Sequence, residues 1–251
     1  MTAILDPNAA TDWVRRWDAQ QEFYVPDREE RFAVIGDVVE HVVRDTTEPA
    51  VLDLGCGPGS LSSRLADRLP NARITAVDAD PLLLALARAQ RSDRITFVDA
   101  DLTTPGWTDQ VPARLDAVVS TTALHWLDRE PLAELYRTLA RLVRPGGVFV
   151  NGDHLGTGDP RLNELAKLVL AGRARRAGVV EHEDWDQWWA AVRADNTLGP
   201  LLDERSTRSV HHHGGNHLSV AEHAELLRSS GFQTAGPVWQ SGDDHVLVAI
   251  R

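Results

Sequence analysis

Three glycines with regular spacing mark one part of the chain as a candidate ligand site. Gly55, Gly57 and Gly59 directly follow the short apolar run at residues 50–54. Glycine lets a backbone turn sharply and approach a ligand that a Cβ atom would hold away. A helical pattern begins after Gly59, and its N-terminus would point toward the same turn. The sequence therefore predicts a strand, a tight loop and a helix arranged around a small ligand.

Three aspartates stand where consecutive predicted strands end. Asp53 precedes the glycines, Asp78 ends the next apolar run, and Asp101 follows the third. Carboxylates at these places suit an amino group, ribose hydroxyls and an adenine amine, whereas a dinucleotide pyrophosphate prefers bare backbone amides. Asp99 is an alternative adenine contact, but strand alternation favours Asp101. The acids together predict a cationic nucleoside ligand.

Strand and helix patterns alternate between residues 50 and 150. The predicted strands are 50–54, 74–78, 95–98, 115–119 and 148–150, and the predicted helices between them are 60–69, 81–90 and 131–143. Such alternation predicts right-handed βαβ units and a parallel sheet. Two later strands, 235–240 and 245–250, are joined by a link too short for a crossover, so we expect an antiparallel hairpin. The fold class is α/β.

Further helical patterns lie on both sides of this region. Two are predicted before residue 45, two within 160–205, and one at 219–230 that ends at Gly231. We expect a single domain over residues 1–251. Its parts are an N-terminal helical lid (1–45), a ligand-binding core (46–151), a helical insertion or cap (152–218), and the last helix with the terminal hairpin (219–251).

Five blocks in this order resemble the class I S-adenosylmethionine (SAM)-dependent methyltransferases. They are residues 51–59, Asp78, residues 99–102, residues 120–126 and residues 144–147. The resemblance covers about residues 45–150. It implies a Rossmann-like, seven-stranded, mostly parallel sheet with a C-terminal antiparallel hairpin and a helical cap. The stretch at residues 124–126 is similar to small-molecule enzymes, the trans-aconitate methyltransferase type among them.

The resemblance also implies SAM as cofactor and gives roles to individual residues. The ribose contact is implied for Asp78, and adenine contacts for Ala79, Asp101 and Leu102. The positions implied near the methionine portion are Asp53, Gly55, Gly57, Ser120 and Thr121. Two more complete the predicted cofactor site, namely Tyr24 from the lid and Cys56 of the glycine loop, which we expect to pack and not to react.

Candidates for contact with a methyl acceptor follow the fourth and fifth predicted strands. His125 and His154 are the predicted catalytic bases, because imidazole titrates near neutral pH. The predicted substrate contacts are Trp126, Trp188, Trp189 and His213. The helical spacing of Trp185, Trp188 and Trp189 gives them one face, which predicts either packing of the inserted helices or an aromatic wall of the acceptor pocket.

The histidine run at residues 211–213 invites a metal interpretation that its spacing does not favour. Adjacent residues of an extended segment point to opposite sides, so only His211 and His213 would share one. Neither a cysteine nor a pair of histidines one helical turn apart supports a zinc site. We therefore predict no metal and expect a strand or loop edge near the substrate cleft.

Charge and cysteine content narrow the function classes. The formal net charge of -11 argues against a protein that binds nucleic acid by neutralising phosphates. Cys56 is the single cysteine, and the sequence contains neither a secretory signal pattern nor an apolar stretch long enough to span a bilayer. We expect a cytoplasmic monomer or homodimer whose partner is a small-molecule methyl acceptor.

The predicted activity is transfer of the SAM methyl group to O, N or C of a metabolite by in-line displacement. Two alternatives stay open at this stage. A nicotinamide-dependent oxidoreductase also has a glycine-rich turn followed by an acid, although its spacing and terminal topology differ. A non-catalytic SAM binder, or an enzyme that uses a modified SAM, would carry the same pocket.

Overall fold

Seven β-strands form one sheet in the computed structural model, which describes residues 5–90, 93–179, 183–208 and 215–251. The strands are β1 (Ala50–Leu54), β2 (Arg73–Asp78), β3 (Ile95–Asp99), β4 (Leu115–Thr121), β5 (Val143–His154), β6 (Thr234–Ser241) and β7 (Asp244–Ile250). Their order is β3-β2-β1-β4-β5-β7-β6. β7 runs antiparallel to both neighbours, and the other pairs are parallel. The predicted α/β class and terminal hairpin are confirmed.

Helices cover both faces of this sheet. Within the described ranges they are α1 (Pro7–Gln21), α2 (Arg28–Val43), α3 (Ser60–Arg68), α4 (Pro81–Ala89), α5 (Arg129–Leu142), α6 (Pro160–Ala177), α7 (Trp185–Ala194), α8 (Gly199–Thr207) and α9 (Val220–Ser230). Side-chain caps fix several starts: the Asp80 carboxylate accepts the Leu82 and Leu83 amides at the start of α4. None of these helices has the length and apolarity of a membrane-crossing segment.

Alternating strand residues divide the core between the two faces. Leu52 and Leu54 of β1 face α5 and α9, while Val51 faces α2 and α3. Phe32 and Ile35 of α2 are buried in that second cluster. The expectation that all of residues 1–45 form a lid is therefore wrong for α2, because its apolar stripe packs on the sheet.

A third apolar cluster joins the N-terminal and inserted helices. α1, α4, α7 and α8 contribute to it, with Trp17, Leu82 and Trp188 among its buried side chains. The sequence predicts two inserted helices, whereas the structure has three, α6, α7 and α8. Asp195 accepts the Thr197 and Leu198 amides, and this turn separates α7 from α8. α6 lies elsewhere, with its Arg173 guanidinium over the Trp239 ring of β6.

Candidate active site

The glycine loop after β1 has a backbone that only glycine adopts without strain. Gly55, Gly57 and Gly59 have φ of 65°, 55° and 85°. A Cβ atom on Gly55 would lie 2.3 Å from the Cβ of Ala123, in the loop after β4. The two loops therefore touch where β1 and β4 end, which creates a close-walled cradle at the carboxyl edge of the sheet.

The backbone amides of this loop already have partners inside the protein. The Gly55 and Cys56 amides donate to the Val77 carbonyl at 2.8 and 3.1 Å. The Gly57 amide donates to Oδ2 of Asp78 at 2.7 Å. A pyrophosphate would need such amides free and would meet a carboxylate instead. The loop chemistry thus disfavours the nicotinamide alternative and fits a ligand without phosphate.

Asp78 presents a carboxylate at the rim of the cradle. Its Oδ1 accepts the Asp80 amide at 2.8 Å, so backbone bonds fix both oxygens in place. Burial raises the pKa of Asp78 to about 6, even though these hydrogen bonds act in the opposite direction. Each oxygen keeps a lone pair for a further donor. A pair of ribose hydroxyls fits this acceptor.

Asp53 lies fully buried beneath the loop. Its Oδ2 accepts the Ser62 hydroxyl at 2.5 Å, whereas Oδ1 has no hydrogen-bond partner among the described residues. Burial raises the pKa of Asp53 to about 7. A buried carboxylate with an unused oxygen favours a cationic partner. The methionine ammonium and sulfonium of SAM supply such charge, so the residues present fit this cofactor.

Three other predicted cofactor residues differ in whether their side chains are already hydrogen-bonded within the protein. The buried Ser120 hydroxyl donates to the Leu54 carbonyl at 2.8 Å, and the Thr121 hydroxyl is buried with no partner in the described ranges. Oδ1 of Asp101 accepts the Thr103 amide and hydroxyl at 2.8 and 2.7 Å. These contacts leave the cofactor roles of Ser120, Thr121 and Asp101 as predictions.

Four further predicted positions differ in exposure. Ala79 is half-buried next to Asp78, and Leu102 packs on the first core cluster. Tyr24 is 48% exposed in the turn between α1 and α2, where it is accessible as a lid contact. Cys56 is buried, and burial raises the pKa of its thiol well above the ordinary value. A thiol so placed packs and is a poor nucleophile.

The acceptor candidates after β4 and β5 separate in space. His125 Nδ1 lies 2.7 Å from Oδ1 of the buried Asp153, and the Trp126 ring lies 4.7 Å from the imidazole. His154 instead points to the β6–β7 hairpin, with Nδ1 3.2 Å from Oδ1 of Asp243. The two predicted bases therefore have different neighbours. His125 lies in the loop whose Ala123 touches the glycine turn.

The tryptophan stripe of α7 is mainly a packing surface. Trp188 is 0% exposed, and its ring meets those of Trp13 and Trp17 at centroid distances of 5.7 and 5.0 Å. The substrate role predicted for Trp188 is corrected on this ground, because a side chain enclosed by α1 cannot line an open pocket. Trp189 is half-buried, and the Arg205 guanidinium lies 4.4 Å from its ring centroid.

His211 and His213 lie outside the described residues. Within residues 5–90, 93–179, 183–208 and 215–251, no group of three or more His, Cys, Asp or Glu side chains is arranged to hold a metal ion. The metal-free prediction therefore remains a prediction for the chain as a whole.

Two arginines of the α8 region attach the inserted helices to the cofactor loops, which sequence reasoning missed. Arg205 Nε lies 2.5 Å from Oδ2 of Asp80, and Arg208 Nη1 lies 2.6 and 2.8 Å from the two Asp99 oxygens. Asp80 follows β2 and caps α4, and Asp99 is the last residue of β3. Acids at strand ends were visible in the sequence, but nothing local identified their partners more than a hundred residues away.

Comparison with known proteins agrees with the fold and the cradle. A family profile described as a methyltransferase domain matches residues 51–147. The chain is 36% identical over 212 residues to a Streptomyces avermitilis protein named trans-aconitate 2-methyltransferase, with 79% of this chain and 74% of the relative covered. A Methylobacterium nodulans protein of the same name is 31% identical, with 86% and 80% covered. An Azoarcus relative is matched over only 49% of its length.

Comparison with solved structures supports the assignment of the fold. PigF with SAH has a TM-score of 0.51 at 21% identity, covering 85% of this chain and 61% of PigF. Human N-acetylserotonin methyltransferase in complex with SAM has a TM-score of 0.55 at 18% identity, covering 94% and 56%. The chain belongs to the class I SAM-dependent methyltransferases, and within them to the group that contains the proteins named trans-aconitate 2-methyltransferase.

Removal of the Asp78 carboxylate is expected to weaken cofactor binding. Asp78→Ala should reduce SAM affinity by about 1.5 to 3 kcal/mol, because two charge-assisted hydrogen bonds to the ribose are lost. Isothermal titration with SAM measures the change, and Asp109→Ala on the exposed loop before β4 serves as control. If a folded Asp78→Ala protein binds SAM as tightly as the parent, Asp78 is not the ribose acid.

The raised pKa values of the two buried acids predict that SAM binding depends on pH. A bound cation favours the ionised carboxylates, so the dissociation constant of SAM should rise as the pH falls below about 7, by up to about tenfold per pH unit for each acid below its pKa. Conversely, the free protein should become more stable as the pH falls through the same range, because its folded state binds protons more tightly than the unfolded chain.

Titrations of SAM at pH 8, 7, 6 and 5.5 test this dependence. Asp53→Asn should flatten the part that begins near pH 7 and leave the part that begins near pH 6. A dissociation constant that stays constant across the range in the parent protein would contradict the assignment of Asp53 and Asp78 to a cationic ligand.

Proposed function

We propose that this protein transfers the methyl group of SAM to a small-molecule acceptor by in-line displacement. The observation that carries this is the cradle itself: a glycine turn whose amides are occupied, with the Asp78 carboxylate at its rim and an unused Asp53 oxygen beneath it. Bound SAM supplies an electrophilic methyl carbon on sulfur. The protein then needs only to orient the acceptor and exclude water.

The residues around the cradle have distinct tasks in this proposal. Asp78 orients the nucleoside, and Asp53 compensates the positive charge at the methionine end. The loop at residues 121–126 touches the glycine turn through Ala123, which supports His125 and Trp126 as the side chains that meet the acceptor. α1, α7 and α8 pack together with α4 and are the proposed cap of the site.

The relatives support a small organic acceptor, since their names specify trans-aconitate. We further propose that the chain is one methyltransferase domain, a monomer or homodimer, located in the cytoplasm and without a nucleic-acid partner. The net charge of -11 supports the last point. Trp189, Trp126 and the undescribed His213 remain the proposed acceptor contacts, with His154 as a secondary candidate base.

Transfer of labelled methyl groups tests this function. The purified chain is incubated with [methyl-14C]SAM and a bacterial metabolite extract, and labelled products are separated and identified by mass spectrometry. We expect one labelled small molecule and an equal amount of S-adenosylhomocysteine. Tight SAM binding with no label transferred would instead support a non-catalytic SAM binder.

A further inference from the structure

An apolar stripe runs along the outer side of α6. Four large side chains form it, each between 49 and 67% exposed in the described part of the chain, namely Leu162, Leu165, Leu168 and Val169. Their spacing of three and four residues places them on one side of the helix. Monomeric proteins rarely expose a large contiguous apolar patch without a use for it. We call these four side chains the α6 stripe.

The opposite side of α6 holds the helix on the sheet. The Arg173 guanidinium donates to Oδ2 of the buried Asp244 at 3.1 Å and lies 5.0 Å from the Trp239 ring centroid. The helix also passes close to the β6–β7 turn, because a Cβ atom on Gly242 would lie 2.6 Å from the Ala166 carbonyl oxygen. These contacts fix the orientation of α6, and they leave the α6 stripe on the side that faces away from the sheet.

Charged side chains differ in sign between the two ends of the α6 stripe. Near its N-terminal end stand Asp159, Arg161 and Glu164, which together have a charge of -1. Near its C-terminal end stand Arg175 and Arg176, with a charge of +2. Within the described ranges, none of these five side chains has an ion-pair partner, whereas Arg173 on the inner side has two. The outer side of α6 is therefore complementary in charge to itself, end against end.

An antiparallel pair of α6 helices would cover the α6 stripe of both copies. When the two-fold axis passes between Leu168 and Val169, Leu165 of one copy lies opposite Gly172 of the other. Gly172 follows Leu165 by two helical turns, so it shares the side of the stripe. In the single chain the flexible Arg176 side chain covers this glycine, with Nη1 3.0 Å from a would-be Cβ. Displacement of that side chain would open a gap that receives the leucine.

The same register brings opposite charges together. Glu164 and Arg175 lie on the same flank of the stripe, and an antiparallel pair places like flanks side by side. Their axial offset across the pair is two residues, about 3 Å, which these long side chains can span. The contact occurs twice, because residue i meets j and j meets i across a two-fold axis. The N-terminus of each helix also lies beside the C-terminus of the other, which suits the helix dipoles.

We infer that the α6 stripe is the contact surface of a homodimer in which two α6 helices pack antiparallel. The helix has 18 residues and is about 27 Å long, and one side of it is small beside the about 800 Å² that each partner buries in a standard interface. The dimer is therefore reversible, and its population rises with protein concentration. A lipid surface suits this face less well, because Glu164 borders the stripe and the chain has a net charge of -11.

Light scattering coupled to gel filtration over a series of protein concentrations tests the dimer. We expect the mass of the parent to approach twice the chain mass of 27.7 kDa as the concentration rises. Leu165→Glu should keep the mass of one chain throughout, because it places a carboxylate in an apolar contact. Lys167→Glu is the matched control on the same helix but off the stripe, and should dimerise like the parent. Both variants should melt like the dilute parent, since the stripe is exposed in the single chain.

Exchange of charges tests the register. Glu164→Arg and Arg175→Glu should each raise the dimer dissociation constant by about 2- to 10-fold, because two exposed ion pairs become pairs of like charge. The double variant restores opposite charges in the reversed order. We expect its dissociation constant to return to within about twofold of the parent value, and no such return would contradict the antiparallel register.

Disulfide formation locates the two-fold axis. Cys56 is the single cysteine of the chain and is buried, so a cysteine introduced on the outside of α6 would be the accessible thiol. Under oxidation by copper–phenanthroline, Leu168→Cys should give a covalent dimer that dithiothreitol reverses. Lys167→Cys is one residue away but turned about 100° from that position, so it should stay a single chain.

Three results would overturn the inference. One is a parent protein that keeps the mass of a single chain at every concentration. Another is a dimer that survives Leu165→Glu or cross-links equally well through Lys167→Cys, because it would use another surface. The third is a monomeric parent that sediments with phosphatidylserine vesicles while Leu165→Glu does not, which would assign the stripe to a lipid surface. None of these measurements requires methyl transfer, so their outcome is separate from that of the proposed function.

Discussion

Trp188→Ala is expected to destabilise the protein by about 3 to 5 kcal/mol, the cost of removing a large aromatic side chain from a closed core. Trp188 is fully buried and meets the rings of Trp13, Trp17 and Trp189. The gap would lie between α1, which also packs on α4, and α7, which also packs on α8, so closing it would pull a helix away from its other neighbour. The melting temperature should fall by about 6 to 20 °C, since each kcal/mol shifts a chain of this size by about 2 to 4 °C.

Two control variants separate packing from other effects. Trp188→Phe keeps much of the ring and removes an indole nitrogen that has no hydrogen-bond partner among the described residues, so its cost should be well below that of alanine. Leu168→Ala on exposed α6 should change stability by no more than about 0.5 kcal/mol. A parent-like melt of Trp188→Ala with selective loss of acceptor turnover would restore the pocket interpretation of this residue.

Gly55→Ala is expected to abolish measurable SAM binding and to destabilise the fold by about 2 to 5 kcal/mol. About 1 to 2 kcal/mol comes from the left-handed backbone, which an alanine resists. A further 1 to 3 kcal/mol, roughly, comes from overpacking, because the new methyl group would lie 2.3 Å from the Ala123 Cβ. Either the glycine turn or the loop that carries His125 must move, and both border the proposed cofactor site.

Gly178→Ala provides the matched control for the cost of placing an alanine in a left-handed backbone conformation. Gly178 has a φ of 66° at the end of α6, and no described atom lies within 4 Å of its would-be Cβ. It should lose about 1 kcal/mol of stability and bind SAM like the parent. Calorimetric titration and denaturant melts of both variants measure the two effects. Undiminished SAM binding by Gly55→Ala would show that the ligand does not use this turn.

The centre of the sheet could be predicted from sequence because β1 and β2 are short, mostly apolar runs that end at a glycine turn and at an acid. The strand ends then placed Asp53, Asp78 and the glycine loop at one edge, since carboxyl ends of parallel strands meet there. The short link at residues 241–243 likewise sufficed for the terminal hairpin. Each of these inferences depends on local spacing alone, which tertiary packing did not alter.

The arrangement outside the sheet could not be predicted in the same way. The apolar stripe of α2 is equally compatible with a lid and with a layer on the sheet, and only the partners of Phe32 and Ile35 distinguish the two. The helical spacing of Trp188 is compatible with a pocket wall, and only the structure shows that α1 covers this side chain. The partnership of His125 with Asp153 joins residues 28 positions apart through two neighbouring strands, a contact that periodicity does not encode.

Isothermal titration of the parent protein with SAM, S-adenosylhomocysteine and NADH is the most direct measurement of the central claim, that the turn after β1 is built for SAM. We predict one site per chain for SAM and for S-adenosylhomocysteine, and no heat of binding for NADH, because the loop amides donate to Val77 and Asp78 and are closed to a pyrophosphate. Saturable NADH binding, or a folded protein that binds neither SAM nor its demethylated product, would contradict the account.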